Sequence, residues 1–241
     1  MKYVLLLALI PLLWACQTTT TETEEVETET ELETTESDWT PLFDGETLDG
    51  WRQVGGEAKY EVENGEIVGT TVLDTPNSFL VTTDEYGDFE LELEFLVDTS
   101  LNSGVMIRAH TYPADTLFML TNSSGDTYER KQEKGRVYGY QVEIDPSARA
   151  WSGGIYDEAR RGWIYNLENE PDARAAFKRD DWNKYRIVAK GDSINTFING
   201  VPAARLQDDA DSAGFIGLQV HSTDREEPMQ VRWRNLRIRE I

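Results

Sequence analysis

Polar side chains recur at every second position in three short segments of the sequence, which places them on one side of an extended chain. In residues 138–145 they are Gln141, Glu143 and Asp145. Residues 105–110 and 215–221 alternate in the same manner and add Arg108, His110, Gln219 and His221. A carboxylate or imidazole beside a guanidinium can remove a proton and stabilise the negative charge that develops. The sequence therefore predicts a surface with the components of acid–base catalysis.

An ordinary antiparallel sheet also presents a polar face to water, so the alternation alone does not require a ligand. Two further observations favour a ligand-binding face. The chain has two histidines, and both lie in these segments beside carboxylate and guanidinium groups. Aromatic residues are also concentrated in the sequence that follows residue 145.

Residues 151–163 contain three aromatic residues, two carboxylates, two arginines and three glycines. This composition suits the rim of a pocket for a polyhydroxylated ligand, because sugars stack on flat aromatic faces and bind bidentate polar groups. A salt-bridged surface loop has the same composition. The candidate sugar-contacting residues of this segment are Tyr156, Asp157, Arg160, Arg161 and Trp163.

The elements that carry these residues are predicted to be β-strands. Alternation with a period of two begins after Trp39 and recurs to the end of the chain, as in residues 89–97. Asn64-Gly65 and Asn199-Gly200 separate alternating segments and favour tight hairpin turns. Residues 170–177 predict one short surface helix, and residues 113–135 predict a loop. The pattern as a whole predicts an all-β sandwich of antiparallel sheets.

The amino-terminal segment predicts export and lipid anchoring. Lys2 precedes an apolar run that is short for a membrane span and ends before Cys16. Residues 1–16 resemble the signal peptide and lipobox of bacterial lipoproteins, with Cys16 as the lipidated residue; an ordinary cleaved signal is the alternative. Residues 17–38, rich in Thr and Glu, predict a disordered acidic tether. We expect residues 39–241 to form one extracytoplasmic domain, anchored through lipid alone at the outer membrane or on the periplasmic side.

Charge and motif content exclude several classes of function. The formal net charge is −22, and such a surface repels a phosphate backbone, so nucleic acid is not expected as a partner. The single cysteine excludes a disulfide within the domain. The sequence has no Gly-rich phosphate loop, paired-cysteine motif, His-Glu-x-x-His site or Gly-x-Ser-x-Gly elbow, which disfavours nucleotide enzymes and structural zinc proteins.

Several strings, taken together and in order, resemble the 3-keto-disaccharide hydrolase family. They are Leu42-Phe43-Asp44-Gly45, Gly50-Trp51, Asn102-Ser103-Gly104-Val105, Gly139-Tyr140-Gln141-Val142-Glu143-Ile144-Asp145, Gly153-Gly154-Ile155-Tyr156-Asp157, Trp182-Asn183-Lys184-Tyr185-Arg186 and Ile198-Asn199-Gly200-Val201-Pro202. The resemblance implies a concanavalin A-like jelly roll of two curved antiparallel sheets, with the ligand on the concave face. It also implies activity on glycosides oxidised at C3, in which a base removes the C2 proton, the C1 substituent leaves, and water then adds.

The resemblance also implies roles for individual residues. Glu143 or His221 would be the base, and Arg108 would stabilise the enolate. Ring hydroxyls would be held by Asp145, Gln141 and Gln219, with residues 156–163 shaping the sugar pocket. No cofactor is required by these roles, although the family leaves room for a divalent metal held by His110, Glu143, Asp145 and His221. Glu143 cannot be both base and ligand, so those two assignments compete.

Three classes of function remain open on the sequence alone. The first is the enzyme just described, whose glycoside substrate an upstream glycoside 3-dehydrogenase would oxidise. The second is a non-catalytic carbohydrate-binding lipoprotein with the same fold. The third is a surface interaction or assembly protein.

Overall fold

The computed structural model describes residues 38–121 and 126–241. The predicted signal peptide, Cys16 and residues 17–37 of the predicted tether lie outside the described residues. Within the described residues, no helix is both long enough and apolar enough to cross a membrane.

Two large antiparallel sheets make up most of the described chain. In spatial order, the eight-stranded sheet consists of β15 (Val201–Gln207), β14 (Ser193–Ile198), β13 (Asn183–Lys190), β6 (Phe89–Val97), β17 (Gln230–Glu240), β4 (Glu66–Thr70) and β3 (Lys59–Glu63), with β1 (Thr40–Pro41) paired to β17. The seven-stranded sheet consists of β12 (Gly162–Tyr165), β11 (Ile155–Glu158), β10 (Val137–Ile144), β7 (Ser103–Thr111), β16 (Phe215–Val220), β5 (Ser78–Thr82) and β2 (Trp51–Gly55).

The remaining elements are a hairpin of β8 (Thr116–Thr121) and β9 (Thr127–Gln132) and a single helix, α1 (Pro171–Ala176), among the described residues. The predicted all-β sandwich with one short helix is confirmed. The predicted loop at 113–135 is wrong in part, because backbone pairing joins β8 to β9 in this segment. Leu117 and Met119 on β8 are 66% and 64% exposed, so the burial pattern on which the sequence prediction relied is missing there.

The main hydrophobic core lies between the two sheets. Alternate residues of the facing strands fill it, including Phe95 and Trp233 from one sheet and Val142 and Leu218 from the other. Each fully buried side chain of this size contributes about 1.5–3 kcal/mol relative to exposure. The two predicted Asn-Gly turns close β3 to β4 and β14 to β15, with positive φ at both residues of each turn, as a type I′ turn requires.

A β-bulge at Arg108 interrupts the alternation of β7. Between the pairs Ile107–Tyr140 and His110–Tyr138, β7 has two residues where β10 has one, and Arg108 adopts a φ of 45°. The same extra residue appears against β16. Because one added residue reverses the faces of all that follow, Val105 and Ile107 enter the core between the sheets, whereas Ala109 joins Met106 on the other face.

The outer face of the seven-stranded sheet, which is the face turned away from the eight-stranded sheet, is divided in two. One half is filled by a second apolar cluster, comprising Phe79, Val81, Met106, Ala109, Val137 and Phe215. The other half is polar. The polar half contains the candidate active site.

Candidate active site

The candidate active site is a cleft of about 150 Å3 on the polar half of this outer face. We call it the Glu143 cleft. It is lined by Asn77, Asn102, Gln141, Glu143, Arg149, Tyr156, Glu158, Trp163, Gln219 and His221. Six of the predicted site residues therefore lie together: Gln141, Glu143, Tyr156, Trp163, Gln219 and His221.

Strand register explains why these residues meet. Gln141 lies opposite Tyr156 on β11, and Tyr156 lies opposite Trp163 on β12, so the three side chains share one face. On the other side of β10, Glu143 lies opposite Gly104 of β7, which in turn lies opposite Gln219 of β16. The alternation identified in the sequence thus gives the correct face for β10, β11 and β16.

Glu143 is a buried carboxylate held by two amides. Its side chain accepts hydrogen bonds from Asn102 Nδ2 at 2.5 Å and from Gln141 Nε2 at 2.7 Å, and the residue is 5% exposed. Burial raises the pKa of Glu143 to about 7, although these two hydrogen bonds favour the charged form. A carboxylate with a pKa near neutrality can both accept and return a proton at working pH.

Arg149 supplies the positive charge of the cleft. Asp145 Oδ2 accepts a hydrogen bond from Arg149 Nε at 2.8 Å, and the guanidinium lies 4.5 Å from the ring centre of Trp151 and 5.2 Å from that of Trp163. Burial tends to raise the pKa of Asp145, but hydrogen bonds from Ser147 and Arg149 outweigh it and hold the pKa below its usual value. Asp145 therefore positions Arg149. Both of its carboxylate oxygens accept hydrogen bonds within the loop, so Asp145 is not placed to hold ring hydroxyls as predicted.

His221 follows the end of β16 and lines the same cleft. Its Nδ1 lies 2.8 Å from the carbonyl oxygen of Ser222, which can only accept, so Nδ1 carries a proton. The other ring nitrogen, Nε2, is then the one that can exchange a proton with a ligand. Glu143 and His221 form a carboxylate and imidazole pair within one cleft.

Arg108 lies outside the cleft, contrary to the sequence prediction. The bulge turns its side chain toward the eight-stranded sheet, where the residue is 1% exposed. The guanidinium donates to the carbonyl oxygens of Gly87 at 2.8 Å and Gly191 at 2.7 Å and pairs with Asp88 at 2.9 Å. With its donors engaged in these contacts, Arg108 ties the two sheets together and is not placed to stabilise an enolate in the Glu143 cleft.

Asp157, Arg160 and Arg161 also lie outside the cleft. Asp157 lies opposite Tyr140, so it shares the face of that core residue and not the face of Tyr156. Arg160 and Arg161 both pair with Asp157, and they continue to Asp211 and Asp208 respectively. The alternative interpretation of this segment, a salt-bridged surface structure, applies to these three residues.

A divalent metal does not fit the donor set. Of the four candidate ligands, Glu143 and His221 line the cleft, and Asp145 is engaged by Arg149. His110 Nε2 lies 3.6 Å from Asp211 Oδ1. His110 is on the part of β7 that follows the bulge and leads away from the cleft. Across residues 38–121 and 126–241, no group of three or more His, Cys, Asp or Glu side chains is arranged to hold a metal ion.

Sequence reasoning missed Arg149, Asn102, Asn77 and Glu158. Asn102 stands in the quoted Asn102-Ser103-Gly104-Val105 string, which was the available signal. Arg149 lies in the loop after β10 and carries no periodic signal, since its direction depends on the hydrogen bonds of Asp145. Glu158 shares the face of Tyr156 by simple alternation, and it pairs with Arg136 at 2.7 Å.

Comparison with known proteins supports the fold and the family. The model of the 3-keto-alpha-glucoside-1,2-lyase-like domain matches residues 38–239. None of the curated proteins compared with the chain matches it.

Similar solved structures cover most of the chain at low identity. A Bacillus subtilis protein of unknown function with a galectin-like fold has a TM-score of 0.57 and 13% identity, over 84% of this chain and 94% of its own. A "putative glycosyl hydrolase" from Parabacteroides distasonis ATCC 8503 has a TM-score of 0.52 and 16% identity, over 86% and 98%. A beta-1,3-1,4-glucanase (lichenase) derived from a mouse hindgut metagenome has a TM-score of 0.50 and 12% identity, over 84% of this chain and 97% of its own. These likenesses confirm the predicted jelly-roll fold.

Proposed function

Because the chain belongs to the 3-keto-alpha-glucoside-1,2-lyase-like domain family, we propose that it cleaves glycosides oxidised to a ketone at C3, by elimination from C1 followed by addition of water. The observation that carries this proposal is Glu143, a buried carboxylate whose pKa is raised to about 7 in a cleft that also holds a guanidinium and an imidazole. A ketone acidifies the hydrogen on the adjacent carbon, so a base of this strength suffices when the enolate is stabilised.

The first step uses Glu143 and Arg149. The Glu143 carboxylate takes the proton from C2, and the electron pair of the C2–H bond forms the enolate, with negative charge on the C3 oxygen. The Arg149 guanidinium, oriented by Asp145, stabilises that charge. Its contact with the indole rings of Trp151 and Trp163 holds it at the cleft wall.

The second step uses His221. As the C3 carbonyl re-forms, a double bond forms between C1 and C2, and the C1–O bond breaks. Protonated His221 gives its Nε2 proton to the departing oxygen. Water then adds across the double bond, with hydroxyl to C1 and hydrogen to C2, and the net result is hydrolysis.

The surroundings of the cleft leave room for a substituted glycoside. A cavity of about 720 Å3 shares Asn102 and His221 with the cleft, and one of about 650 Å3 shares Asn77. Tyr156 and Trp163, 5.4 Å apart between ring centres, offer aromatic surface of the kind on which sugars stack.

The test is incubation of the protein with chromogenic 3-keto-glucosides in deuterated water, with and without a chelator. We expect aglycone release with deuterium incorporated at C2, unchanged by chelation. The variant E143Q should lose both signals, whereas E90Q, which alters a carboxylate that is 4% exposed in the other sheet, should keep them. Sugar binding without release or exchange would overturn the proposal and indicate a carbohydrate-binding module.

A further inference from the structure

The side-chain carbonyl of Gln219 is a buried acceptor without a partner. Gln219 is 0% exposed, lines the Glu143 cleft, and donates through Nε2 to Gln141 Oε1 at 2.8 Å. Its Oε1 makes no hydrogen bond to any of the described residues. A buried carbonyl left in this condition has lost its hydration without a replacement hydrogen bond, so a ligand that donates to it gains binding energy.

The orientation of both amides follows from the charge of Glu143. An ionised carboxylate can only accept hydrogen bonds, so Gln141 must present its NH2 group to Glu143. The Gln141 carbonyl then faces Gln219, which must donate a hydrogen bond to it from its own NH2 group. The oxygen of Gln219 is the end of this chain, and a hydroxyl or another donor is the only kind of group that can complete it.

Gly104 makes the contact between the two glutamines possible. Gln141 on β10 and Gln219 on β16 are separated by β7, and Gly104 is the β7 residue between them. A Cβ atom at Gly104 would lie 2.5 Å from Cγ and 2.8 Å from Nε2 of Gln141. The absence of a side chain there lets Gln141 reach across the strand.

We infer that Gln219 and Gln141 form a relay that recognises a hydroxyl of the substrate and, at its other end, holds Glu143 in its ionised form. This inference rests on the proposed function, because it assigns the relay to the same cleft. Gln219 is the specificity-determining residue, and its partner at the cleft is a ring hydroxyl, not the C3 ketone, since a ketone cannot donate. Both polar atoms of Gln141 are already hydrogen-bonded, to Glu143 and to Gln219, so Gln141 acts as a positioning residue.

The first experiment compares the parent 3-keto-glucoside with its 2-deoxy, 4-deoxy and 6-deoxy analogues. We expect the wild-type protein to lose about 10- to 100-fold in kcat/KM for one analogue, because that analogue leaves the Gln219 carbonyl unpaired. Q219L should abolish this discrimination by lowering kcat/KM for the parent. Equal turnover of all four substrates by an active wild-type protein would overturn the inference and leave the proposed function intact, whereas absence of turnover on the parent would overturn the proposed function itself.

The second experiment tests the coupling to Glu143 through the pH dependence of kcat/KM. Q219L and G104A should each move the acidic limb of the profile to higher pH, because Glu143 loses a fixed donor that favours its charged form. Q132L alters a buried glutamine on β9 that donates to Ala159, and it should leave the limb in place. A limb unmoved in folded Q219L and G104A would overturn the coupling.

Discussion

Glu143 combines two properties that act against each other at the scale of a single residue. Burial favours its protonated form, and the amides of Asn102 and Gln141 favour its charged form. The outcome is a pKa of about 7, which lies above the ordinary value of 4.5. The folded state therefore binds the Glu143 proton more tightly than the unfolded state does.

This difference predicts how Glu143 affects stability with pH. The stabilising contribution of the protonated carboxyl is complete below about pH 4.5 and is lost as pH rises through about 7. Relative to the wild type, E143Q should therefore gain up to about 3 kcal/mol in free energy of unfolding between pH 4 and pH 8. Urea unfolding of both proteins at several pH values measures this difference in the free energy of unfolding. A constant difference across that range would contradict the raised pKa.

The same residue sets the pH dependence of turnover. We expect the acidic limb of the kcat/KM profile to rise with pH through about 7, as the base becomes ionised. E143Q should lower kcat by about 10²- to 10⁴-fold with the fold retained. Initial rates across pH, with circular dichroism of each variant, give the measurement. Turnover by E143Q within tenfold of the wild type would remove Glu143 from the mechanism.

Arg149 is the residue that should carry enolate stabilisation. R149M keeps most of the side-chain volume over Trp151 and Trp163 but removes the charge, and we expect a loss of about 10²- to 10³-fold in kcat with a small change in KM. D145N, which weakens the hold on Arg149, should give a smaller loss in the same parameter. R108M should leave kcat within twofold. The opposite order, with R108M the more damaging to kcat, would return the role to Arg108.

The regularity of the strand or loop that carries a residue determines whether the direction of its side chain can be predicted from sequence. Alternation assigned Gln141, Glu143 and Gln219 to one face correctly, since β10 and β16 carry them on uninterrupted stretches. The same rule failed for Arg108 and His110, because the bulge in β7, the strand that carries both residues, has no signal in residue polarity. Arg149 and Asp145 lie beyond the end of β10, where the period of two no longer applies and hydrogen bonds set the direction of each side chain.

The Arg108 bulge is an anchor at this scale, and its loss should cost stability. Removing a buried guanidinium that satisfies carbonyls of two separate turns leaves those carbonyls unpaired, so R108M should lower the free energy of unfolding by about 3 kcal/mol. R52M, which removes an exposed arginine from β2, should change it by less than about 0.5 kcal/mol. Denaturant titration of the two variants measures the contrast. Equal effects would show that the contacts of Arg108 contribute nothing.

Over the whole molecule, charge is arranged by sheet. The outer face of the eight-stranded sheet carries cross-strand pairs that join Glu90, Glu92 and Glu94 of β6 to basic residues of β13 and β17. Each exposed pair contributes little by itself. The domain therefore depends on the core between its sheets, since the single cysteine of the chain offers no internal disulfide.

Attachment is also a property of the whole molecule. If Cys16 is lipidated as the sequence predicts, its acyl chains hold the protein at a membrane. In a bacterial expression host, C16S should move the protein from the membrane fraction to the soluble fraction and abolish incorporation of labelled fatty acid. Retention of C16S in the membrane fraction would contradict lipid anchoring.

The bulge on β7 changes which residues of the strand face outward. Before it, even-numbered residues of the strand face outward, and after it odd-numbered residues do. Deleting Arg108 would restore ordinary alternation through the whole strand and would leave Ile107 in the core, Ala109 on the outer face and His110 on the inner face. The inserted residue thus lets β7 keep Met106 and Ala109 in one outer apolar cluster while the side chain of Arg108 reaches the turns of the other sheet.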